Sequence, residues 1–366
     1  MPMTANHEIE YFSLGTSELP RIWTGLWQLS SNAWGSAPAS KIRSEMIRYA
    51  QLGYTAFGER RQLGLIVNHA TNWFDGIVDM ARLPVISDHY GSSEVLFGQF
   101  RESFTPSNVI FGATKWCVFR STDPTPVTVR MAIQERMTRM RVQKIDLLQF
   151  HWQDYSDKRY LNALEALKQL RDEGVIANIG LCNFDAIRTD EICTELGPSV
   201  IVTNQVQFSI IDTRPLHGMV HVCERHGVKL LTYGTLCGGF LSDRWLDQPE
   251  PDLYSGNLTP SQRKYLDMIK NAWGNWELFQ SLLVILRRIG DRHGKLSIAN
   301  IATRWVLDHS TVGAVIVGIS DHADDNRKVF GFRLSEQDHS EIEEILKKSN
   351  SYKMIITVGD CGMEYR

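Results

Sequence analysis

The sequence has no apolar run near the roughly 20 residues that a membrane span requires. Its first residues, MPMTANHEIEYFSLG, lack the basic region and following apolar stretch of a secretory leader. The expectation is a soluble, cytoplasmic protein. No long block of one charge sign occurs, and 39 basic against 42 acidic residues leave a formal net charge of -3. Neither nucleic acid nor an anionic membrane is therefore an expected partner. The six cysteines, Cys117, Cys182, Cys193, Cys223, Cys237 and Cys361, show no C-x-x-C spacing. Reduced packing thiols are expected, rather than disulfides or zinc ligands. An H-x-H pair or a His/Asp cluster at strand ends is also missing, which argues against a catalytic metal. No protein partner is evident either, so the expected partner is a small molecule. What is present, 43% hydrophobic and 22% charged residues in 366, excludes disordered and fibrous classes.

From about Asp146 onward, short apolar runs alternate with helical patterns, the sign of parallel strands joined by crossover helices. DLLQFHW (146–152) reads as a buried strand. YLNALEALKQLRDEG follows, with Leu161, Leu164, Leu167 and Leu170 on one helical side and Gly174 as a stop. IANIGLCNF, IVTNQVQF and KLLTYGT repeat the strand theme around helical stretches at 186–196 and 216–227. RIWTGLW, YTAF and VIFGATK supply three earlier strands and AVIVGI a last one, making eight. That number predicts an α/β fold, a closed (β/α)8 TIM barrel, whose chemistry sits where strands end and βα loops begin. IEYFSLGTSELP reads as an N-terminal β-hairpin, and residues 242–296 as a long excursion with some helix that covers a substrate. The alternative, a doubly wound sheet, would carry G-x-G-x-x-G after its first strand, where this chain has QLSSNAWGS.

Polar residues at the C-terminal ends of barrel strands face a common mouth. Lys115 ends VIFGATK, His151 ends DLLQFH, Asn183 ends IANIGLCN, Asn204 and Gln205 lie in IVTNQVQF, and Tyr90 follows the second strand after a long interruption. Each alone has a plain structural reading as a packing or rim residue. Together, Tyr, Lys and His make a proton-transfer set, because an ammonium beside a phenol stabilises phenolate. At ~4 Å and an effective dielectric of about 20 that attraction is of order 4 kcal/mol before desolvation offsets it. Side chains carry no hydride, so a reduction would need a nicotinamide. Asn183 and Gln205 suit the donor and acceptor of its carboxamide, and Phe208 is a candidate to stack on its ring; the plain alternative is amides that close loop hydrogen bonds.

These motifs, from LGTSELPRIWTGLWQLS through DHYGSSEVLFGQFR, ATKWC, DLLQFHWQDY, IGLCNFD, NQVQFS, YGTLCGGFLSDRW and DDNRKVFGFRLS, resemble the aldo-keto reductase superfamily over almost the whole chain. Its microbial and fungal-type members are the most similar, including a C-terminal GDCG like residues 359–362. The resemblance implies a (β/α)8 barrel that binds NADPH, with NADH possible, and reversible reduction of an aldehyde or ketone to an alcohol. It implies Tyr90 as the acid that protonates the carbonyl oxygen as hydride arrives from nicotinamide C4. Lys115 would lower the Tyr90 pKa, His151 would orient the carbonyl, and Asp79 would pair with Lys115. It also implies carboxamide contacts from Asn183 and Gln205, stacking by Phe208, and a pyrophosphate loop over Tyr233, Gly234, Thr235, Leu236 and Gly238. Ser320, Asn326 and Arg327 would lie at the adenosine end.

Two departures from the family stand out. Residues 58–78 and 82–87 read as insertions within a single barrel domain spanning 1–366; one account of part of the longer piece is translated intron or a gene-model error, which sequencing the spliced transcript would test. Asp79 keeps the family's D-x-A context, Asp88 occupies the non-catalytic position of DHYG, and Asp75 is a weaker competitor. The second departure is VGISDHADDN, where a helix N-terminus with Ser320, Arg327 and Lys328 would attract a 2′-phosphate while Asp321, Asp324 and Asp325 oppose it. Two functions follow: a carbonyl reductase, in a setting such as fungal-type secondary metabolism, or a cofactor-binding regulatory or degenerate relative with little turnover.

Overall fold

Short apolar runs buried on both faces pair with one another in parallel, and eight of them close on themselves. The computed structural model describes residues 8–26, 38–58, 91–106, 109–118, 122–254, 256–318 and 322–366. Tyr90, Asp79, Asp75, Asp88, Ser320, Asp321, residues 59–78 and 82–87, and Trp27 to Trp34 lie outside the described residues.

The hairpin β1 (Tyr11–Leu14) and β2 (Ser17–Pro20) precedes the barrel, with Tyr11 opposite Pro20 and Leu14 opposite Ser17. The barrel strands are β3 (Ile22–Gly25), β4 (Ala56–Gly58), β5 (Phe111–Val118), β6 (Leu147–Trp152), β7 (Ile179–Cys182), β8 (Ile201–Gln207), β9 (Lys229–Tyr233) and β10 (Val312–Gly318). They follow chain order, and β10 closes onto β3. The expected barrel and hairpin are thus the observed ones.

The period of two divides each strand between two cores. Trp23, Ala56, Phe111, Ala113, Leu147, Leu231, Ala314 and Ile316 fill the barrel interior, sealed at its N-terminal end by Leu14 and Leu19 of the hairpin. The alternate residues, such as Leu148, Phe150, Leu181, Val206 and Val315, pack against the helices. Continuing the interior series by twos from Phe111 and Ala113 reaches Lys115, and from Leu147 reaches Gln149 and His151. Polar groups therefore succeed apolar ones along the same inward face toward the C-terminal mouth.

The outer ring includes α1 (Ala39–Gln51), α2 (Gly91–Ser103), α3 (Pro126–Met140), α4 (Tyr160–Asp172), α5 (Ala186–Leu196), α6 (Met219–His226), α9 (Ile298–Leu307) and α11 (Glu336–Lys348). In α4, Leu164, Leu167 and Leu170 are buried at helical spacing, as the sequence pattern requires. The excursion after β9 contains α7 (Pro260–Asp267), opened by a Thr259/Gln262 capping box, and α8 (Trp276–Arg292), capped by Asn275. Such a cap is worth about 1 kcal/mol. Phe240, Trp245, Trp276 and Phe279 bind the excursion together, with the Phe240 and Trp245 rings 4.7 Å apart. After the short α12 (Met354–Thr357), the chain turns back so that residues 359–366 cross the ends of β7 and β8. No helix among the described residues is long and apolar enough to cross a membrane. All six cysteines are buried and unbridged.

Candidate active site

Lys115 is fully buried on β5, and its carbonyl accepts a 2.7 Å hydrogen bond from Arg136 Nε of α3. The parallel register sets Lys115 against Gln149 and Cys117 against His151 on β6. His151 Nδ1 lies 2.7 Å from the carbonyl oxygen of Cys182 on β7. A carbonyl only accepts, so Nδ1 carries the hydrogen and Nε2 is the basic nitrogen of the neutral ring. Cys182 pairs in register with Gln205, and its thiol reaches Gln205 Oε1 at 3.6 Å. Lys115, Gln149, His151, Cys182 and Gln205 therefore occupy successive strands of one inward-facing wall.

Asn183 follows β7 in a left-handed conformation, φ 61°, which Asn tolerates better than most residues. Its N–H donates to the Gln205 carbonyl at 2.9 Å, and its own carbonyl accepts from Tyr155 Oη at 3.2 Å. The side-chain Oδ1 accepts from Tyr233 Oη at 2.8 Å, whereas Nδ2 is buried with no partner. A buried donor without an acceptor costs roughly 1–3 kcal/mol, so its presence in a mouth points to a ligand oxygen. Burial, then the Tyr365 phenol and Glu364, hold the Tyr233 phenol well above its usual range, so it stays a neutral donor.

Several candidates are placed differently from the sequence reading. Phe208 is buried edge-on against Trp305 and His309 of the α9 region, at 5.6 and 5.0 Å. The aromatic that bonds the Asn183 side-chain amide is Tyr233. Asn204 points outward, donating to the Phe184 carbonyl and Thr189 Oγ1 of α5, so of the two neighbouring amides Gln205 alone faces inward. In the loop after β9, Cys237 N bonds Gly234 O at 2.8 Å and Gly239 N bonds Leu236 O at 2.8 Å. Thr235 Oγ1 donates to the Phe208 carbonyl, tying this turn to the end of β8. Gly238 takes φ 66° within it. Asn326 ends α10 (Ala323–Asn326), and Arg327 follows directly. The aspartates there have cationic partners: Arg48 bonds Asp324 at 2.5 Å, and Lys328 bonds Asp325 at 2.9 Å. Lys328 is thereby engaged, and the opposition of Asp324 and Asp325 to a phosphate is reduced.

Two clusters escaped the sequence reading. Glu94, in the first turn of α2 and four residues after Tyr90, is buried between Thr114 Oγ1 and Arg139 Nε, both of which bond its carboxylate. Burial raises the Glu94 pKa, against the lowering effects of Arg139 and Thr114. The second cluster joins the C-terminal segment to the mouth. Buried Arg214 bonds Asp212 and Glu364, both near 2.8–2.9 Å. Burial pushes the Glu364 carboxyl up, but Arg214 and Lys264 more than offset that and leave it at about 2. Lys264 of α7, also buried, donates to Gln207 Oε1 at 2.7 Å and Tyr365 Oη at 2.6 Å. The only sequence sign of this cluster was the GDCG string. Among the described residues, no group of three or more His, Cys, Asp or Glu could hold a metal ion.

A family model for the aldo/keto reductase family matches residues 21–347. The chain belongs to the aldo/keto reductase family. It is 23% identical over 361 residues to aldo-keto reductase YhdN of Bacillus subtilis, covering 94% of this chain and 95% of that protein. It is 29% identical over 181 residues to flagellar radial spoke protein 5 of Chlamydomonas reinhardtii, covering 45% of this chain. That match and two others span only 33% to 61% of the relatives' own lengths. A glycerol dehydrogenase structure from Gluconobacter oxydans superposes with a TM-score of 0.68 at 22% identity, covering 93% of this chain and 95% of that one. At that identity the likeness speaks for the fold.

Proposed function

We propose that this chain reduces an aldehyde or ketone to an alcohol with NADPH or NADH, reversibly. The observation that carries the reading is Asn183 Nδ2, a buried donor without a partner at the mouth that also holds Lys115, His151, Gln205 and Tyr233. A nicotinamide carboxamide offers the acceptor that this donor lacks, and Gln205 stands on the adjacent strand. The residues present thus fit the group. The ring facing it is assigned to Tyr233 in place of Phe208, and the turn from Gly234 through Leu236 to Gly238 is assigned to the pyrophosphate. Ser320, Asn326 and Arg327 remain the proposed contacts at the adenosine end. With Asp324 and Asp325 ion-paired, both NADPH and NADH stay within the proposal.

The bound nicotinamide supplies the hydride. The chain's own residues orient the carbonyl and move a proton. His151, its Nδ1 held by Cys182, presents Nε2 to the substrate side. Tyr90 is proposed to protonate the carbonyl oxygen, with Lys115 favouring its phenolate and Asp79 pairing with Lys115. General acid work of this kind contributes about 10²–10⁴-fold. Fairly large carbonyl compounds, of a kind met in secondary metabolism as readily as in detoxification, are the proposed substrates.

Titration of NADPH and NADH by tryptophan fluorescence, followed by turnover on a panel of aldehydes and quinones, tests the reading. Turnover that Tyr90→Phe abolishes supports it; turnover that survives this change removes Tyr90 from the mechanism. Tight binding of cofactor with no turnover on any substrate would favour the regulatory or degenerate alternative.

A further inference from the structure

The first turn of α2 carries a buried carboxylate in largely apolar surroundings. Glu94 is 2% exposed and lines a small void together with Leu26, Phe57, Phe97, Ala113 and Met140. Taking a carboxylate out of water is costly, and apolar groups in place of a buried ion pair are often as stable or more so. Stability alone therefore does not account for Glu94.

What Glu94 joins is more telling. One of its oxygens accepts from Thr114 Oγ1 on β5, and the other from Arg139 Nε in the last turn of α3. Thr114 directly precedes Lys115, whose carbonyl is held by Arg136 Nε of the same α3 at 2.7 Å. Arg139 also bonds Glu135 on α3, and its side chain lies against Gly91, where a Cβ would be 3.6 Å from Arg139 Cδ. Ser93 Oγ, in the same turn of α2, donates to the Leu26 carbonyl just beyond β3 at 3.1 Å. The start of α2 is thus bound to β5, to α3 and to the end of β3. These contacts draw on no residue between 59 and 90.

Chain connectivity gives the arrangement its consequence. α2 begins at Gly91, which follows Tyr90 in the chain, and consecutive Cα atoms are about 3.8 Å apart. Along β5 successive side chains point to opposite faces, so Thr114 meets α2 while Lys115 faces the mouth. The bond between Glu94 and Thr114 therefore joins the turn into which Tyr90 leads to the strand that carries Lys115.

We propose that Glu94 is a positioning residue for the reduction: bonded to Thr114 and Arg139, it sets the start of α2, and with it the residue before Gly91, against Lys115. The inference rests on the reading given above, in which Tyr90 is the acid and Lys115 favours its phenolate. It makes the placement of the acid depend on α2, downstream of Tyr90, rather than on the length of chain upstream of it.

The test compares Thr114→Val, which keeps shape and charge but removes the donor to Glu94, with Thr114→Ser, which keeps that donor. Wild type and both variants, as full chains, are titrated with NADPH and NADH and assayed for carbonyl reduction from neutral pH to beyond about pH 10, the ordinary phenol value. A misplacement of about 1 Å can cost 10²-fold in rate, so Thr114→Val should lower kcat by roughly 10- to 100-fold. Its dinucleotide Kd should stay within roughly 2-fold of wild type, less than one hydrogen bond's worth. The alkaline limb of its pH profile should move up toward about pH 10, as for a phenol farther from an ammonium. Thr114→Ser should recover most of kcat and the wild-type limb. Ser93→Ala, which loosens the same turn on the side of Leu26, should act in the same direction as Thr114→Val and decides the matter should that variant fail to fold. A folded Thr114→Val with wild-type kcat or with an unmoved alkaline limb, or a Thr114→Ser no better than Thr114→Val, would overturn the inference while leaving the reductase reading intact. A wild-type protein that turns over none of the carbonyl substrates would overturn both.

Discussion

His151 Nδ1 is 2.7 Å from the carbonyl oxygen of Cys182, the residue that precedes Asn183. One backbone position on β7 thus fixes the tautomer of the histidine and begins the turn that carries the amide. If His151 orients a carbonyl, His151→Phe should lower kcat/KM for carbonyl reduction by about 10²-fold or more. The dinucleotide Kd should stay within roughly 2-fold, less than one hydrogen bond's worth. Steady-state kinetics beside fluorescence titration check this, and unchanged kcat/KM would leave His151 a packing residue.

Gly362 stands where a side chain cannot. Its φ is 77°, and a Cβ there would lie 2.1 Å from the Asn183 carbonyl oxygen. Gly174 has a similar φ of 82° but open space around the same position. Both Gly→Ala changes incur a left-handed penalty of about 1–2 kcal/mol. Only Gly362→Ala also forces backbone apart at Asn183. It should therefore weaken dinucleotide binding, whereas Gly174→Ala should lower the melting temperature and leave Kd unchanged. Equal effects of the two on Kd would contradict the close packing of the C-terminal segment on the site.

How much of this was legible depended on whether the signal was local. The eight strands could be read because runs such as LLQFHW and VGAVIVG are almost wholly buried on both faces, which leaves contiguous apolar sequence. Lys115, His151, Asn183 and Gln205 could be read because strand ends in a barrel share one mouth. Facing was harder: Asn204 and Gln205 are adjacent and point opposite ways, and the register shift between β7 and β8 hides which does which. Phe208 was legible as an aromatic near the amides, but its packing under Trp305 depends on α9, almost 100 residues on. Lys264 and Tyr365 are 101 positions apart, and Arg214 and Glu364 are 150 apart. No period or spacing links such pairs, so only the fold brings them together.

Gln149, beside Lys115 in the register, is buried with both amide atoms lacking a partner. An unsatisfied buried amide costs about 1–3 kcal/mol that an apolar group of similar shape would not. Gln149→Met should therefore raise stability to urea by an amount in that range. If the amide serves the reaction centre, the same variant should lose turnover, as expected where stability is given up at a functional site. A stabilised variant with full activity would make Gln149 a structural oddity; a destabilised one would mean that the amide is satisfied in solution.

Glu364 gives the protein an acid limit that can be assigned. Burial alone would raise its pKa, but Arg214 and Lys264 bring it to about 2, below the ordinary 4.5. A carboxylate with a depressed folded pKa contributes stability that is fully present above its unfolded value. That contribution is lost as pH falls through the folded value. The contribution of Glu364 should thus decline from about pH 4.5 toward pH 2, and remain constant above pH 5. Glu364→Gln should remove it at neutral pH, at a cost approaching the roughly 3–5 kcal/mol of breaking a buried ion pair, since Arg214 then keeps Asp212 as its carboxylate partner among the described residues. It should also flatten the acid limb of the stability profile. Because Glu364 anchors the segment whose Gly362 packs against Asn183, dinucleotide affinity should fall together with stability in this variant. Urea melts of wild type and Glu364→Gln from pH 3 to pH 7 check the sign: curves that stay parallel through that range would show that the carboxylate's charge does not hold the C-terminal segment in place.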